Sequence, residues 1–416
     1  MTEVLHLRDA PWLRDGALAR LLALLDRDGE EARVVGGAVR NALLRLAVDE
    51  IDVATTAVPP EVIRRVAAAG HKAIPTGIEH GTVTVVIDGE PFEVTTLRED
   101  VETFGRKAKV VFGRDWQKDA ERRDFTINAL SASASGDVFD YVGGIDDIAA
   151  RRVRFIGEPA RRIAEDYLRI LRFFRFHAWY GDGAPDAAGL HVCIAARTGI
   201  DTLSRERVRM ELLKLMLAPR ATATLAVTAE AGILGRVLGG VPLLASFENT
   251  VKVEAALGST PDAVQRLGAL GVLVKEDAER LTERLRLSNA EAARLEALER
   301  WWRVAPEAGE QAARALLYRL GPQSFLDQVL IAWARSPQGA ADPAWHVLAT
   351  LPQRWSAPEF PLKSADFVSR GVPAGPALGA AMRAAREAWI AADFPSDAAA
   401  IAAIAASAAK ASAASG

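Results

Sequence analysis

Apolar residues recur along this chain with two different periods, and the switch between them divides it. From residue 33 to about 135, short β-branched runs alternate with helical spacing. ARVVGG at 32–37 reads as a strand entering a Gly-Gly turn, and AVRNALLRL after it as a helix. EIDVATT at 50–56 reads as a strand. PPEVIRRVAAAG at 59–70 reads as a helix, with Pro at its start and Gly at its end. GTVTVVIDGEPFEVTTLRE at 81–99 predicts a β-hairpin turning at Asp88-Gly89. RRDFTINALSAS at 122–133 reads as a helix passing into a strand. Before this region, LARLLALLDRDG predicts an amphipathic helix ending at Gly29.

From about residue 160 onward the period is helical. RRIAEDYLRILRFFRFHAWY at 161–180, SRERVRMELLKLMLAP at 204–219 and AVQRLGALGVLV at 263–274 all carry it. So do ALERWWRVAPEAGEQAARALLYRL at 297–320 and GPALGAAMRAAREAWIAADF at 375–394. The pattern predicts an α+β chain: a head with a small mixed β-sheet and flanking helices, then an all-α remainder.

Composition adds limits. The chain has 416 residues, half of them hydrophobic, enough for sizeable cores. The one long uncharged run follows Asp397. It is Ala/Ser low complexity, expected to fray or to be disordered, and not a membrane span. MTEVLHLRDAPWLRDG has no basic-then-apolar signal pattern. A single cysteine, Cys193, excludes a disulfide framework and a Cys-based zinc site. These features predict a cytoplasmic location with no membrane partner. Net charge is −3, so the whole chain is not a generic polyanion binder. Residues 151–175, however, hold eight Arg against Glu158, Glu165 and Asp166, a local excess suited to a phosphate-rich ligand.

Four clusters carry chemistry. Gly36 and Gly37 allow close backbone approach to a phosphate ahead of a helix N-terminus, and Arg40 adds a fork of donors. Glu50 and Asp52, two apart on a predicted strand, share a face, with Asp49 turned to solvent. Glu93, on the second hairpin strand, is a third candidate. Paired carboxylates hold Mg²⁺, whose hard oxygen preference suits phosphoryl chemistry. Arg122, Arg123 and Asp124 open RRDFTINAL, where two adjacent Arg suit triphosphate or ribose contacts and Asn128 can tie the backbone.

The fourth cluster is EDYLRILRFFRF at 165–176. On one helix, Asp166 and Arg169 would be neighbours on a face. A carboxylate accepts from an exocyclic amine and a guanidinium donates to a ring nitrogen. Cytosine and adenine both offer that pair of groups. Uracil and guanine would set a carbonyl against the carboxylate, a penalty of roughly 1–3 kcal/mol. An ordinary helix-face salt bridge is the simpler reading of the same two residues, and singly each of these clusters is common by chance.

Taken in order, the motifs resemble the class II tRNA nucleotidyltransferase and poly(A) polymerase family of the polymerase-beta superfamily, which includes the CCA-adding enzymes. VVGGAVRN and EIDVATT resemble its motif A, RRDFTINAL motif B, DYVGGIDDIAARRVRFIG at 140–157 motif C, EDYLRILRFFRF motif D and SRERVRMELLKLM motif E. FPLKSADFVSRGVPAGPALGAAMRAAREAW at 360–389 resembles its C-terminal tRNA-contacting segment.

The resemblance implies a nucleotidyltransferase head at 33–157 after an N-terminal helix at 1–32. It implies a neck at 158–220, a body at 221–355, a tRNA-contacting tail at 356–396 and an Ala-rich end at 397–416. It implies that Glu50 and Asp52 hold Mg²⁺ and that Gly37 and Arg40 bind the triphosphate and nucleotide. Arg122 and Arg123 would contact the nucleotide. Asp166 and Arg169 would template the base, with Glu165, Arg172 and Arg175 close by. The reaction would join C, C and A from CTP and ATP to a tRNA 3′ end, with the acceptor–T arm held by shape and phosphates. The family usually has Asp where Glu50 stands; one extra methylene displaces the carboxylate by roughly 1.5 Å. A poly(A) or A-only polymerase and a catalytically weakened tRNA-binding relative remain open alternatives.

Overall fold

The computed structural model describes residues 6–14, 16–104 and 107–414. The extreme ends of the expected N-terminal helix and Ala-rich tail, residues 1–5 and 415–416, lie outside them. The chain forms two compact units, Met1–Val237 and Leu238–Gly416. As the change of period predicts, the described strands all precede residue 140 and helices follow.

The strands are β1 (Ala32–Val35), β2 (Asp52–Thr55), β3 (Lys72–Gly77), β4 (Thr82–Ile87), β5 (Glu90–Thr96), β6 (Arg98–Phe104), β7 (Lys107–Phe112), β8 (Ser131–Ala132) and β9 (Val138–Phe139). Seven of them form one mixed sheet in the order β3-β4-β5-β2-β1-β8-β9, and β6 pairs with β7 separately. The β4–β5 hairpin turns at Asp88-Gly89, both at positive φ (52° and 88°), the combination that matches the right-handed twist of the paired strands. β2 pairs with β5 in parallel; the other pairings in this sheet are antiparallel.

Alternation in β4 and β5 sends Val83, Val85, Ile87 and Val94 to one buried face. The helices Ala17–Leu25 and Pro59–Ala68 cover that face with Leu21, Leu22, Leu25, Val62 and Val66. Each such side chain contributes about 1.5–3 kcal/mol on burial. The first helix ends at Leu25 rather than Gly29, because Asp26 leaves helical geometry; Gly29 sits in the following turn.

A cluster of aromatic rings fixes the helix Leu168–Tyr180 to the RRDFTINAL segment. Phe125 of RRDFTIN lies 4.8 Å from Phe155 and 5.3 Å from Phe176, and Phe155 lies 5.4 Å from Phe173 (centroid distances). Phe173 and Phe176 belong to the helix Leu168–Tyr180, so this core sets where that helix presents its arginines.

The second unit is helical. Phe325, Val329, Trp333, Trp345 and Leu351 form one core around the helix Gly309–Arg335, which kinks at Gly321-Pro322. Contrary to the expected fraying, the Ala-rich tail forms a helix, Ala398–Ala414. Ala405, Ala408 and Ala409 are buried in one cluster with Ala381 and Ala385 of the helix Pro376–Ala391. Small side chains let the two helices approach closely, so a sequence that lacks a conventional apolar stripe still packs. Among the described residues no helix is long and apolar enough to cross a membrane.

Candidate active site

The Gly-Gly turn after β1 builds one wall. Gly36 has φ 71° and ψ −119°, and a Cβ there would meet the Arg123 guanidinium at 3.3 Å. Glycine thus lets Arg123 lie across the turn. Arg40, on the following helix Gly37–Leu43, is buried. It donates to the side-chain oxygens of Asn128 and Asn41 and, at 2.7 Å, to the Tyr180 hydroxyl. Burial, with Arg175 and Arg172 nearby, pushes its pKa down to about 10, so it stays charged at neutral pH.

The carboxylates form the opposite edge. Asp52 opens β2, and its parallel-register neighbour in β5 is Glu93, so the two start from adjacent positions on one sheet face. Glu50 is not on the strand: β2 begins at Asp52, and residues 49–51, just before it, have no regular secondary structure. Strand alternation therefore does not orient Glu50, and the expected Glu50–Asp52 strand pair is replaced by Asp52–Glu93. Glu50 and Asp52 still border one cavity. Asp49, expected to face away, borders it too, while remaining exposed. Glu93 lines an adjoining hollow together with Asp52 and Glu50. Asp52 has a raised pKa, first from burial, then from the negative charge of Glu93; Arg123 opposes this and Glu50 adds to it.

The RRDFTINAL segment is anchored by two acids, Asp119 just before it and Asp124 within it. Asp119 accepts from Arg122 at 2.6 Å and from Arg123 at 3.2 Å. Asp124 is buried and pairs with Arg172 at 2.6 Å; it also accepts from the Asn128 side chain. Burial alone would raise the Asp124 pKa, but the Arg172 charge and these hydrogen bonds hold it below the ordinary carboxylate range. The segment is a single 3₁₀ turn, Thr126–Asn128, between the helix Trp116–Glu121 and the two-residue β8, shorter elements than expected.

EDYLRILRFFRF is not one helix. The helix Pro159–Glu165 ends at Asp166, which is extended (φ −159°, ψ 109°), and a second helix starts at Leu168. Asp166 caps that second helix by accepting from the Leu168 N–H at 3.1 Å. It does not pair with Arg169. Arg207 donates to Asp166, and Arg169 donates to Glu165. The helix-face salt bridge is thus absent, while both Asp166 and Arg169 line the cavity. Arg175 donates to buried Glu211.

The cavity has a volume of about 780 Å³. It brings together Gly36, Gly37, Arg40, Glu50, Asp52, Arg122, Arg123, Asp124, Asn128, Asp166, Arg169, Arg172 and Arg175. Glu93 and Glu165 lie outside it, Glu93 beside Asp52 and Glu165 behind Arg169. Sequence reasoning missed Tyr180, Arg207 and Asp119. Arg207 stands in a motif that was recognised, where its charge was a usable signal. Nothing local distinguishes Tyr180 from a helix-end aromatic or Asp119 from a surface acid.

The donor set suits a hard cation. Among the described residues no three His, Cys, Asp or Glu side chains gather closely enough to hold a metal by themselves. Mg²⁺ is commonly held by one or two carboxylates completed by substrate phosphates and water. A raised Asp52 beside Glu93, with no protein ion pair on either among the described residues, fits that mode.

Comparisons with known proteins bear on the fold and the family. A family model described as "Poly A polymerase head domain" matches residues 32–154. Another, described as "Probable RNA and SrmB- binding site of polymerase A", matches residues 193–247. The chain is 34% identical over 383 residues to the Mus musculus protein named CCA tRNA nucleotidyltransferase 1, mitochondrial, covering 89% of this chain and 86% of that one. The Homo sapiens protein of the same name is 33% identical with the same coverage. The structure of the Bacillus stearothermophilus CCA-adding enzyme in complex with CTP superposes with a TM-score of 0.73 at 28% identity, covering 91% of this chain and 93% of that one.

Proposed function

The chain belongs to the CCA-adding tRNA nucleotidyltransferase family, and from this we propose how its own residues serve the reaction. The protein adds C, C and A to the 3′ end of tRNA from CTP and ATP without a nucleic-acid template. The observation that carries the assignment of residues is Asp52, in register with Glu93, bordering a cavity lined by seven arginines. The poly(A) and A-only alternatives are not favoured by these relatives.

In this reading the triphosphate lies along Arg40, Arg122 and Arg123, with Gly36 and Gly37 giving it room. Asp52, with Glu50 and Glu93 beside it, would hold Mg²⁺. When bound, the ion would acidify the attacking tRNA hydroxyl and screen charge on the pyrophosphate leaving group. Asp166 accepts from the amine of cytosine or adenine, and Arg169 donates to the adjacent ring nitrogen. Their separate anchors, Arg207 and Glu165, fix the two groups independently, so neither must leave a mutual salt bridge to read a base. Arg172 and Arg175 stiffen the floor through Asp124 and Glu211. A cytoplasmic site of action remains part of the proposal; cell fractionation tests it.

The test of function is incorporation of labelled CTP and ATP into tRNA lacking its 3′ end, with Mg²⁺. Two C and one A per tRNA are expected. No incorporation would favour the weakened tRNA-binding alternative, and extended A addition to generic RNA would favour a poly(A) polymerase.

A further inference from the structure

Six of the seven cavity arginines are held by carboxylates. Asp119 holds Arg122 and Arg123, Glu165 holds Arg169, Asp124 holds Arg172, Glu211 holds Arg175 and Asp166 holds Arg207. Arg40 is the exception: among the described residues it forms no ion pair. Its guanidinium is held by neutral groups, the Asn41 and Asn128 amide oxygens and the Tyr180 hydroxyl. The Tyr180 ring also lies under it, with Cζ 3.9 Å from the ring centroid. Tyr180 itself is fixed by stacking on Phe176 at 5.8 Å.

We propose that Tyr180 is a positioning residue that holds Arg40 in place without neutralising it, leaving its full positive charge for the nucleotide triphosphate. A carboxylate at this position would fix Arg40 equally well, but it would also neutralise part of the field meant for an incoming polyanion. A phenol supplies a hydrogen-bond acceptor and the negative face of an aromatic ring, both with no net charge. The ring and hydroxyl come from the last turn of the Leu168–Tyr180 helix, so the same helix that presents the base-reading Arg169 also aims Arg40. The arrangement would couple the two ends of the bound nucleotide through one rigid element.

This inference rests on the triphosphate reading of the cavity, and the experiment separates the two. The probe is inorganic tripolyphosphate, titrated calorimetrically into the full chain without tRNA or divalent cation. Tyr180→Gln and Tyr180→Glu are nearly isosteric and differ chiefly in charge. Tyr180→Gln is expected to bind tripolyphosphate about threefold more weakly than wild type, and Tyr180→Glu at least about tenfold more weakly. In steady-state assays the loss should appear in KM for CTP and ATP alike, more than in kcat. Tyr180→Phe, which keeps the ring, should recover most of the affinity and guards against a folding defect in the polar variants. Equal affinity of the Gln and Glu variants, or a loss confined to kcat, would overturn the role given to Tyr180. Failure of wild type to bind tripolyphosphate at all would instead overturn the triphosphate cavity, and this inference with it.

Discussion

The two sides of the cavity are built on opposite principles. On the arginine side, the cations other than Arg40 are cross-linked to acids of the same chain, among them Arg172 to Asp124, Arg175 to Glu211 and Arg207 to Asp166. On the carboxylate side, Asp52 and Glu93 stand in register with like charge against like charge, and the Asp52 pKa is raised. Satisfied pairs give a rigid surface that need not reorganise on binding. Unsatisfied like charges keep a standing preference for a cation. On the proposed reading, one wall is scaffold and the other is a seat.

The strongest way to break this comparison is at the seat. Asp52→Asn keeps shape and removes charge; nucleotide incorporation is expected to fall at least about a thousandfold, with little change in the unfolding midpoint. The reverse pattern, a stability loss with retained activity, would make Asp52 structural. On the scaffold side, Asp124→Asn should cost about 1–3 kcal/mol in urea denaturation at pH 7, because it leaves half-buried Arg172 with Glu211 alone as counter-charge. The sign with pH follows from the depressed Asp124 pKa. Its contribution is present above the unfolded value of about 4 and is lost as pH falls through the folded value. The stability gap between wild type and Asp124→Asn should therefore close below about pH 4; a gap independent of pH there would deny the pairing.

Base reading sharpens the contrast further. Asp166→Asn turns a pure acceptor into a group that can also donate. The preference for CTP over UTP should fall by about tenfold or more, measured as a ratio of kcat/KM. An unchanged ratio would return Asp166 to a helix cap held by Arg207. The smallest effect is expected at Glu50. It is exposed and precedes β2, so its position is not dictated by the sheet. Glu50→Asp should alter the rate by less than about threefold, since a segment outside the sheet can absorb one methylene. A tenfold rise would mean that the natural residue attenuates the enzyme.

Much of this was legible in the chain because local chemistry dictates it. Asp88-Gly89 specifies its turn, and the β-branched runs on either side specify the hairpin that carries Glu93. The order of the motifs, with the glycines ahead of Arg40, pointed to one phosphate-and-metal site. What was not legible depends on partners distant in sequence. The break at Asp166 is enforced by a cap to Leu168 and by Arg207, 41 residues away, against a smooth helical period. Glu50 fell off its strand because β1 pairs with β2 only as far as the Val35–Asp52 match. Tyr180 reaches Arg40 across 140 residues, and the alanine tail finds its mate only in the folded second unit.

The central claim is that the Asp52 edge is a cation seat completed by the nucleotide. Its most direct test is equilibrium binding of Mn²⁺ to the CTP-loaded protein, followed by electron paramagnetic resonance. Wild type is expected to bind the ion at least about tenfold more tightly than Asp52→Asn, with CTP affinity in the absence of metal nearly the same in both. Equal Mn²⁺ affinity in the two proteins would contradict a metal seat at Asp52.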